Sequence, residues 1–213
     1  MRLRKKKGVA EKLLGFGFFM NEIGEECRGR WRERFESGAD AELHVELGIG
    51  KGDFISEIAE RNPNIKFVGL EAEATVLYAA ARKVRDKHLD NVRLAVFNVA
   101  AIDQLFAEHE IDRIYINFCD PWPRNKHAKR RLTNINFLDK YRRILKPHGE
   151  LHFKTDNRGL FDYSLEQFGL IGAEIDDVSF DLHAAEPPDN IQTEYERKFS
   201  ELGTPICRCR VTF

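Results

Sequence analysis

The chain has 213 residues, 42% of them hydrophobic, and a formal net charge of -1. This length supports one hydrophobic core, and the near-zero net charge excludes overall cationic attraction for an anionic polymer. The cationic side chains are instead concentrated in two runs, within residues 1–12 and 124–131. No apolar run approaches the roughly 20 residues of a membrane helix, so a soluble, cytoplasmic protein is predicted.

Short apolar runs alternate with helical patterns from residue 41 onward. Strands are predicted at residues 43–48, 65–71, 92–98, 112–118 and 149–155. Helices with apolar spacing of three and four are predicted at residues 53–62, 74–88, 102–109 and 135–145. This alternation is typical of a parallel sheet, so residues 41–213 are predicted to form a single α/β domain, preceded by a basic arm and amphipathic segment over residues 1–40.

Stop signals and the tail complete the predicted order of elements. Asn62 and Pro63 end the first predicted helix, and the segment KPHG at residues 146–149 separates the fourth helix from its strand. Two further strands are predicted within residues 173–183 and 204–213, joined by a connection too long for a tight hairpin. Cys207 and Cys209 alternate along the last strand, which predicts buried free thiols on one face and no metal site.

A glycine-rich loop follows the first predicted strand. It reads ELGIGKGDF, with Gly48, Gly50 and Gly52 as candidate cofactor-binding residues. Glycines let the backbone turn tightly and approach a ligand, and the helix that follows offers free N–H groups. The G-x-G-x-G spacing differs from the dinucleotide fingerprint G-x-G-x-x-G and favours S-adenosylmethionine, whose ammonium Glu46 could attract. Alone, the loop also fits a glycine-rich turn without a ligand.

Polar side chains end the next two predicted strands. Glu71 ends the second strand, where an α/β nucleotide site uses a carboxylate to accept hydrogen bonds from ribose hydroxyls. Asn98 ends the third strand, and its amide could read an adenine edge or serve as a simple turn residue. Because open α/β sheets bind ligands at the carboxyl ends of their strands, we expect these two side chains to gather with Glu46 and Asp120 along one edge.

The fourth predicted strand leads into NFCDPWPRNKHAKRR, residues 117–131. Two prolines bracket Trp122 and fix the backbone, so that Asp120 and the indole hold their directions. Trp122 offers a flat face to a planar ring or caps the core, and Asp120 is a functional carboxylate or a turn former. Lys and Arg beside an aromatic platform are typical of a site for a base on a phosphate backbone, with a solvated charged face as the alternative.

Several of these segments together resemble one known family. ELGIGKGDF, FVGLE, YINFCDPWPRNKHAKRR, ELHFKTDN and TEYERKF are similar to the bacterial tRNA (guanine-N7-)-methyltransferases, over nearly the whole chain. The resemblance implies a class I S-adenosylmethionine-dependent methyltransferase (Rossmann-like) fold, mostly parallel with an antiparallel last strand and helices on both faces. It also implies transfer of a methyl group from S-adenosylmethionine to N7 of a guanosine in the tRNA variable loop, giving 7-methylguanosine.

The resemblance also implies roles for single positions. The implied cofactor positions are Glu46, Glu71, Asn98 and Asp120. The implied substrate contacts are Arg124, Asp156, Thr193, Glu194, Tyr195 and Glu196. The implied RNA contacts are Lys126, His127, Lys129, Arg130 and Arg131. Asp120 is implied to be central to catalysis, and Arg124 stands where the family usually has Lys, which replaces a point charge with a planar fork. No metal, membrane or obligate protein partner is predicted, and both a monomer and a homodimer fit.

Guanine N7 carries a lone pair and no proton, so its methylation needs no general base and depends mainly on in-line positioning. As the purine becomes cationic, a carboxylate near its N1–H and exocyclic amine stabilises it. Asp120 is the first candidate for that role and Asp156 the second. Acids within residues 193–196 could bind the guanine Watson–Crick edge, and a surface helix capped by Thr193 is the alternative.

Three other functions fit parts of the pattern. The segment NFCDPW lies at the strand end where adenine-N6 methyltransferases carry an Asn/Asp-Pro-Pro-aromatic motif. An RNA-binding module with a degenerate cofactor pocket is the second alternative, and cofactor titration would separate it from an enzyme. An NAD oxidoreductase is the third, and the glycine spacing and the basic runs disfavour it.

Overall fold

The structure is a computed structural model that describes residues 8–36, 40–185, 187 and 190–213. The first five cations of the predicted basic arm therefore lie outside the described residues: Arg2, Arg4, Lys5, Lys6 and Lys7. The chain divides into two compact units, Met1–Leu105 and Phe106–Phe213. Within the described ranges, no helix is long and apolar enough to cross a membrane.

The described residues of the first unit form three parallel strands. They are β1 (Leu43–Leu47), β2 (Lys66–Glu71) and β3 (Val92–Val96), in the order β3-β2-β1. The α-helices of this unit are α1 (Val9–Leu14), α2 (Asp53–Arg61), α3 (Ala74–Asp86) and α4 (Ile102–Leu105). Every residue of β1 is buried, so both faces of this strand are covered, as expected for a parallel sheet inside an α/β protein.

Part of the predicted N-terminal segment packs onto the first unit. Helix α1 contacts α3, and the backbone of Phe18 and Met20 pairs with Leu94 of β3 through hydrogen bonds of 3.1 and 2.8 Å. Trp31 is fully buried, and its indole N–H donates to the carbonyl oxygen of Leu105 at 3.0 Å. The amphipathic stretch around Trp31 thus supplies core to this unit.

The second unit combines parallel and antiparallel strands. They are β4 (Ile111–Asn117), β5 (Leu145–Thr155), β6 (Glu174–Ser179) and β7 (Cys207–Thr212), in the order β4-β5-β7-β6. Strand β5 is parallel to β4, and β7 is antiparallel to β5 and β6. The α-helices are α5 (Ile135–Ile144), α6 (Arg158–Leu170), α7 (Leu182–Ala185) and α8 (Glu194–Glu201). The predicted antiparallel last strand is confirmed.

Two details of the second unit differ from the prediction. The segment at residues 146–149 does not separate α5 from its strand, because β5 already begins at Leu145. Leu145 pairs with Ile111 and Glu150 with Arg113, so the turn-forming residues between them bulge out of the strand. Helix α6 was not predicted at all. Cys207 and Cys209 are buried free thiols at alternate positions of β7. The prediction of buried free thiols on one face of the last strand is confirmed.

Candidate active site

The glycine loop joins β1 to α2 through left-handed backbone. Gly50 has φ 56° and Gly52 has φ 77°, a region that residues with a Cβ seldom occupy. A Cβ on Gly52 would lie 2.6 Å from the Cβ of Ala80 in α3. The loop therefore requires glycine at position 52 both for its conformation and for the close approach of two helices.

The carboxylate of Glu71 is oriented by two backbone amides. Its Oε2 accepts from the N–H of Gly50 and its Oε1 from the N–H of Glu73, each at 3.0 Å. Each carboxylate oxygen accepts more than one hydrogen bond, so both can still accept from a ligand. A fixed carboxylate with two acceptor oxygens fits a vicinal diol such as a ribose. The sequence located this residue but gave no sign that the glycine loop itself would hold it.

Glu46 and Asn98 end the flanking strands of the first unit. Glu46 is buried within β1 and pairs in register with Gly69 of β2. Asn98 is exposed, and its Oδ1 accepts from the N–H of Ala100 at 3.0 Å, capping a 3₁₀ helix. The oxygen thus has the turn role, whereas the amide nitrogen keeps its two donors for a ligand. These two residues and Glu71 lie at or just beyond the carboxyl ends of three parallel strands.

Two carboxylates follow the ends of the parallel strands in the second unit. Asp120 comes three residues after β4 and is exposed, and Asp156 directly follows β5 and is half-buried. In the described part of the chain, neither side chain has a hydrogen bond or an ion pair. Burial raises the pKa of the Tyr195 phenol, and the charges of Asp156 and Asp120 raise it further. The ends of β4 and β5 are adjacent, since Asn117 pairs with Lys154, and the ring of Tyr195 lies 5.1 Å from that of Phe118, two residues before Asp120.

Cys119 directly precedes Asp120 and is half-buried. Burial first, and then the negative charges of Asp120 and Asp156, raise the pKa of its thiol to about 12. A thiol with so high a pKa stays protonated and unreactive at neutral pH. Cys119 is therefore no candidate nucleophile.

Tyr195 completes an aromatic group beside the carboxylates. Its ring is 46% exposed, stacks on Phe199 with the ring centres 4.5 Å apart, and lies 5.1 Å from the ring of Phe118. Phe118 follows β4, and the other two rings belong to α8. An exposed aromatic ring next to two unpartnered carboxylates suits a flat, polar ring with hydrogen-bond donors on its edge.

The segment TEYE is divided between different roles. Thr193 caps α8, because its Oγ1 accepts from the N–H of Glu196 at 3.0 Å. Glu196 is fully buried, and its Oε2 accepts from the Lys154 ammonium at 2.7 Å. Its Oε1 accepts from the amide of Asn190 at 2.8 Å. Glu196 thus belongs to an internal ion pair, whereas Glu194 is exposed. The substrate contacts implied for both residues stay predictions.

The strand end KTDN presents Asp156 through a local turn. The Oγ1 of Thr155 accepts from the N–H of Asn157 at 3.1 Å, and the Oδ1 of Asn157 caps α6 at the N–H of Leu160. Lys154 points inward, where it also donates to the carbonyl oxygen of Ile191 at 2.9 Å. Three of the four motif residues thus serve the structure, and only Asp156 offers its side chain to a ligand.

Arg131 supports the DPWP loop from inside. Its guanidinium is buried, and Nε donates to the carbonyl oxygen of Pro121 while Nη2 donates to that of Trp122, both at 3.1 Å. It also lies over the ring of Tyr163 at 4.2 Å. Trp122 has φ 42°, so its backbone conformation depends on such outside support. Arg131 therefore stabilises the conformation of this loop, and the RNA contact implied for it stays a prediction.

The other cations of this run face solvent. Arg124, Lys126, Lys129 and Arg130 are exposed, and the last three belong to a 3₁₀ helix over Asn125–Arg130. The Arg130 guanidinium lies 4.9 Å above the ring of Trp122, and His127 contacts the same ring edge-on at 5.7 Å. One face of the indole therefore carries a cation and is not open to a base.

Comparison with known proteins decides the family. A family model described as a putative methyltransferase matches residues 40–209. The chain is 46% identical over its full length to the tRNA (guanine-N(7)-)-methyltransferase of Geobacillus sp. (strain WCH70), of which it covers 96%. It is also 46% identical to the protein of that name from Streptococcus agalactiae serotype III (strain NEM316), with both chains covered completely. The chain belongs to the bacterial tRNA (guanine-N7-)-methyltransferase family.

Solved structures agree with the fold of a tRNA (guanine-N7-)-methyltransferase family member. An antibiotic-related methyltransferase matches with a TM-score of 0.65 and 18% identity, covering 93% of this chain and 98% of that one. The 16S rRNA methyltransferase KamB matches with a TM-score of 0.63 and 12% identity, covering 90% of this chain and 94% of the other. The predicted class I S-adenosylmethionine-dependent methyltransferase fold is confirmed, and the NAD oxidoreductase alternative is set aside.

A first prediction concerns the glycine loop of this family member. Gly52→Ala is expected to lower the free energy of unfolding by about 2–4 kcal/mol, since it adds backbone strain and an overlap with α3. Gly50→Ala is the control: its φ is 56°, but an added Cβ meets no described atom within 4 Å. It should cost only about 1–2 kcal/mol. Urea unfolding of both variants without cofactor measures the difference. An equal loss of unfolding free energy in the two variants would show that α3 moves to accommodate the new methyl group.

Proposed function

We propose that this protein transfers the methyl group of S-adenosylmethionine to N7 of a guanosine in the variable loop of tRNA. The observation that carries the proposal is its 46% identity, over the full length, to proteins named tRNA (guanine-N(7)-)-methyltransferase. The carboxylates of Asp120 and Asp156, together with the exposed Tyr195, also support the proposal, because they suit a base that becomes cationic. The protein would act in the cytoplasm as a monomer or homodimer.

The first unit would hold the cofactor. Bound S-adenosylmethionine supplies an electrophilic methyl group on a sulfonium. Glu71 would accept from its ribose hydroxyls, because the two backbone amides already fix the direction of that carboxylate. The donors of the Asn98 amide suit an acceptor nitrogen of adenine, and the carboxylate of Glu46 suits the ammonium group. The left-handed backbone of the glycine loop allows the chain to approach the ligand closely.

The second unit would hold the guanine. N7 attacks with its own lone pair, so no residue has to remove a proton first. As positive charge develops on the purine, its N1–H and exocyclic amine become stronger donors, and a carboxylate that accepts from them stabilises the charged ring. Asp120 and Asp156 have this capacity, and so does the exposed carboxylate of Glu194 beside Tyr195. Tyr195 would stack on the base and fix its plane.

The exposed cations after DPWP would hold the tRNA backbone. Their contribution is electrostatic and independent of sequence, because each ammonium or guanidinium displaces a condensed counterion from a phosphate. Arg124 would contact the substrate next to the target base. Its fork can bind two phosphate oxygens at once, which a lysine at the same position cannot do.

The test is methyl transfer from labelled S-adenosylmethionine to an unmodified tRNA transcript, followed by nuclease digestion and chromatography of the nucleosides. We expect label in 7-methylguanosine, and no label when the variable-loop guanosine is replaced by adenosine. Label in N6-methyladenosine would support the adenine-N6 alternative. No label, from a protein that binds tRNA and does not bind the cofactor, would support the RNA-binding module.

A second prediction concerns the salt dependence of tRNA binding. The triple variant Lys126→Ala, Lys129→Ala, Arg130→Ala is expected to flatten the slope of log Kd against log salt concentration by about 2–3 units. Arg142→Ala, at an exposed cation of α5, is the control and should leave the slope unchanged. Arg131→Ala should reduce stability more than it changes the slope, because that side chain is buried. An unchanged slope in the triple variant would show that these three cations face solvent and do not contact the tRNA.

A further inference from the structure

A surface cavity on the first unit joins aromatic rings with cations. It has a volume of about 470 Å³ and lies where α1 and the loop that follows it meet α3. We call it the N-terminal patch; its lining residues are Lys12, Gly15, Phe16, Gly17, Phe18, Tyr78 and Arg85. Neither the implied cofactor positions nor the implied RNA contacts include any of these residues.

The aromatic rings of the N-terminal patch form a platform. Phe16 and Phe18 stack with ring centres 5.3 Å apart, and Tyr78 lies 6.0 Å from Phe16. All three rings are only half-buried, and the two glycines beside them are exposed. A Cβ on Gly17 would meet no described atom within 4 Å. The backbone at Gly17 therefore leaves open space beside the rings.

Two exposed cations border the platform. The Lys12 ammonium lies 6.0 Å from the centre of the Tyr78 ring, and the Arg85 guanidinium lies 5.8 Å from that of Phe16. Arg85 also binds Asp86 through Nε at 2.9 Å, so part of its charge is compensated. Among the described residues, no carboxylate pairs with the Lys12 ammonium. The surroundings therefore favour an anion.

We propose that the N-terminal patch binds an unpaired nucleotide of the tRNA substrate other than the target guanosine. The base would take the places that the exposed Lys12 and Arg85 groups hold over the Tyr78 and Phe16 rings. These two flexible side chains would then turn to contact its phosphate. This combination of stacking platform and cations is how proteins bind single-stranded nucleic acid without reading its sequence. The inference rests on the proposed function, since it takes tRNA as the substrate.

The test is direct binding of unmodified tRNA, which does not depend on methyl transfer. The double variant Phe16→Ala, Tyr78→Ala is expected to raise Kd for tRNA about tenfold, and KM by a similar factor with kcat unchanged. Lys12→Ala with Arg85→Ala changes only exposed side chains, so it should keep the fold and raise Kd as well. Leu14→Ala is the control, because Leu14 is 57% exposed on α1 and lies outside the patch.

Several outcomes would overturn this inference. One is an unchanged Kd for tRNA in both variants. Another is loss of wild-type binding to phosphatidylglycerol vesicles in the variants at an unchanged Kd for tRNA, which would make the patch a membrane contact. Ultraviolet crosslinking gives an independent readout: the expected adduct is on a peptide that contains Phe16 or Tyr78. If the wild-type protein binds tRNA but methylates none of it, the proposed function fails while the binding test still decides on the patch.

Discussion

Asp120→Asn is expected to lower kcat for methyl transfer by about 100- to 1,000-fold while the fold is kept. The amide has nearly the size of the carboxylate but no charge, so it cannot stabilise a purine that becomes cationic as N7 attacks. Stability should hardly change, because Asp120 is exposed and bonds to no described side chain. Steady-state kinetics with tRNA, together with thermal unfolding, measures both quantities.

Two matched variants make the Asp120 result specific. Asp156→Asn should lower kcat by a smaller factor, since Asp156 is the second candidate for the same charge. Asp139→Asn removes an exposed carboxylate from α5 and should change neither kcat nor stability. Turnover near the wild-type value in Asp120→Asn would remove this residue from the chemistry. If kcat falls more in Asp156→Asn than in Asp120→Asn, Asp156 is the main carboxylate that stabilises the cationic purine.

The positions of strands β1 to β5, and the candidate residues at their carboxyl ends, were predictable from the sequence because both depend on local pattern. Short apolar runs predicted β1 to β5, and the rule that ligands bind at carboxyl strand ends then selected Glu71 and Asp120 without any contact information. The bulge at residues 146–149 was not predicted, because its local composition is ambiguous. Lys-Pro-His-Gly has the composition of a turn, and a bulged strand uses the same residues.

The roles of buried charges were not predictable in this way. Arg131 stands in a run of cations, and nothing in that run shows that its partners are the carbonyl oxygens of Pro121 and Trp122. Glu196 stands in TEYE, where the spacing of Thr and Glu does signal the start of a helix. Its partner, Lys154, is 42 residues away. Residues so far apart in sequence are brought together only by the fold. From the sequence alone, a charged residue in a motif is therefore easily assigned to a ligand contact.

The ion pair between Lys154 and Glu196 leads to the second large prediction. The side chains are 6% and 0% exposed. Lys154→Met is expected to lower the free energy of unfolding by about 3–5 kcal/mol, because it removes the ammonium that contacts the buried Glu196 carboxylate at 2.7 Å. The melting temperature should fall on the order of 10 °C. Urea and thermal unfolding of the single variants and of Lys154→Met with Glu196→Gln give the coupling energy of the pair.

The double variant distinguishes a positioning role of Glu196 from a contact with the substrate. As half of an internal pair, Glu196 acts by holding the start of α8, which carries Tyr195 toward the carboxylates. Removing both charges should then restore part of the stability lost in Lys154→Met and, with it, part of the affinity for tRNA. The rest stays lost because Asn190 and Ile191 no longer receive a hydrogen bond from Lys154. If Glu196 instead touches the guanine, Glu196→Gln will lower kcat at an unchanged melting temperature, and the second substitution will restore nothing.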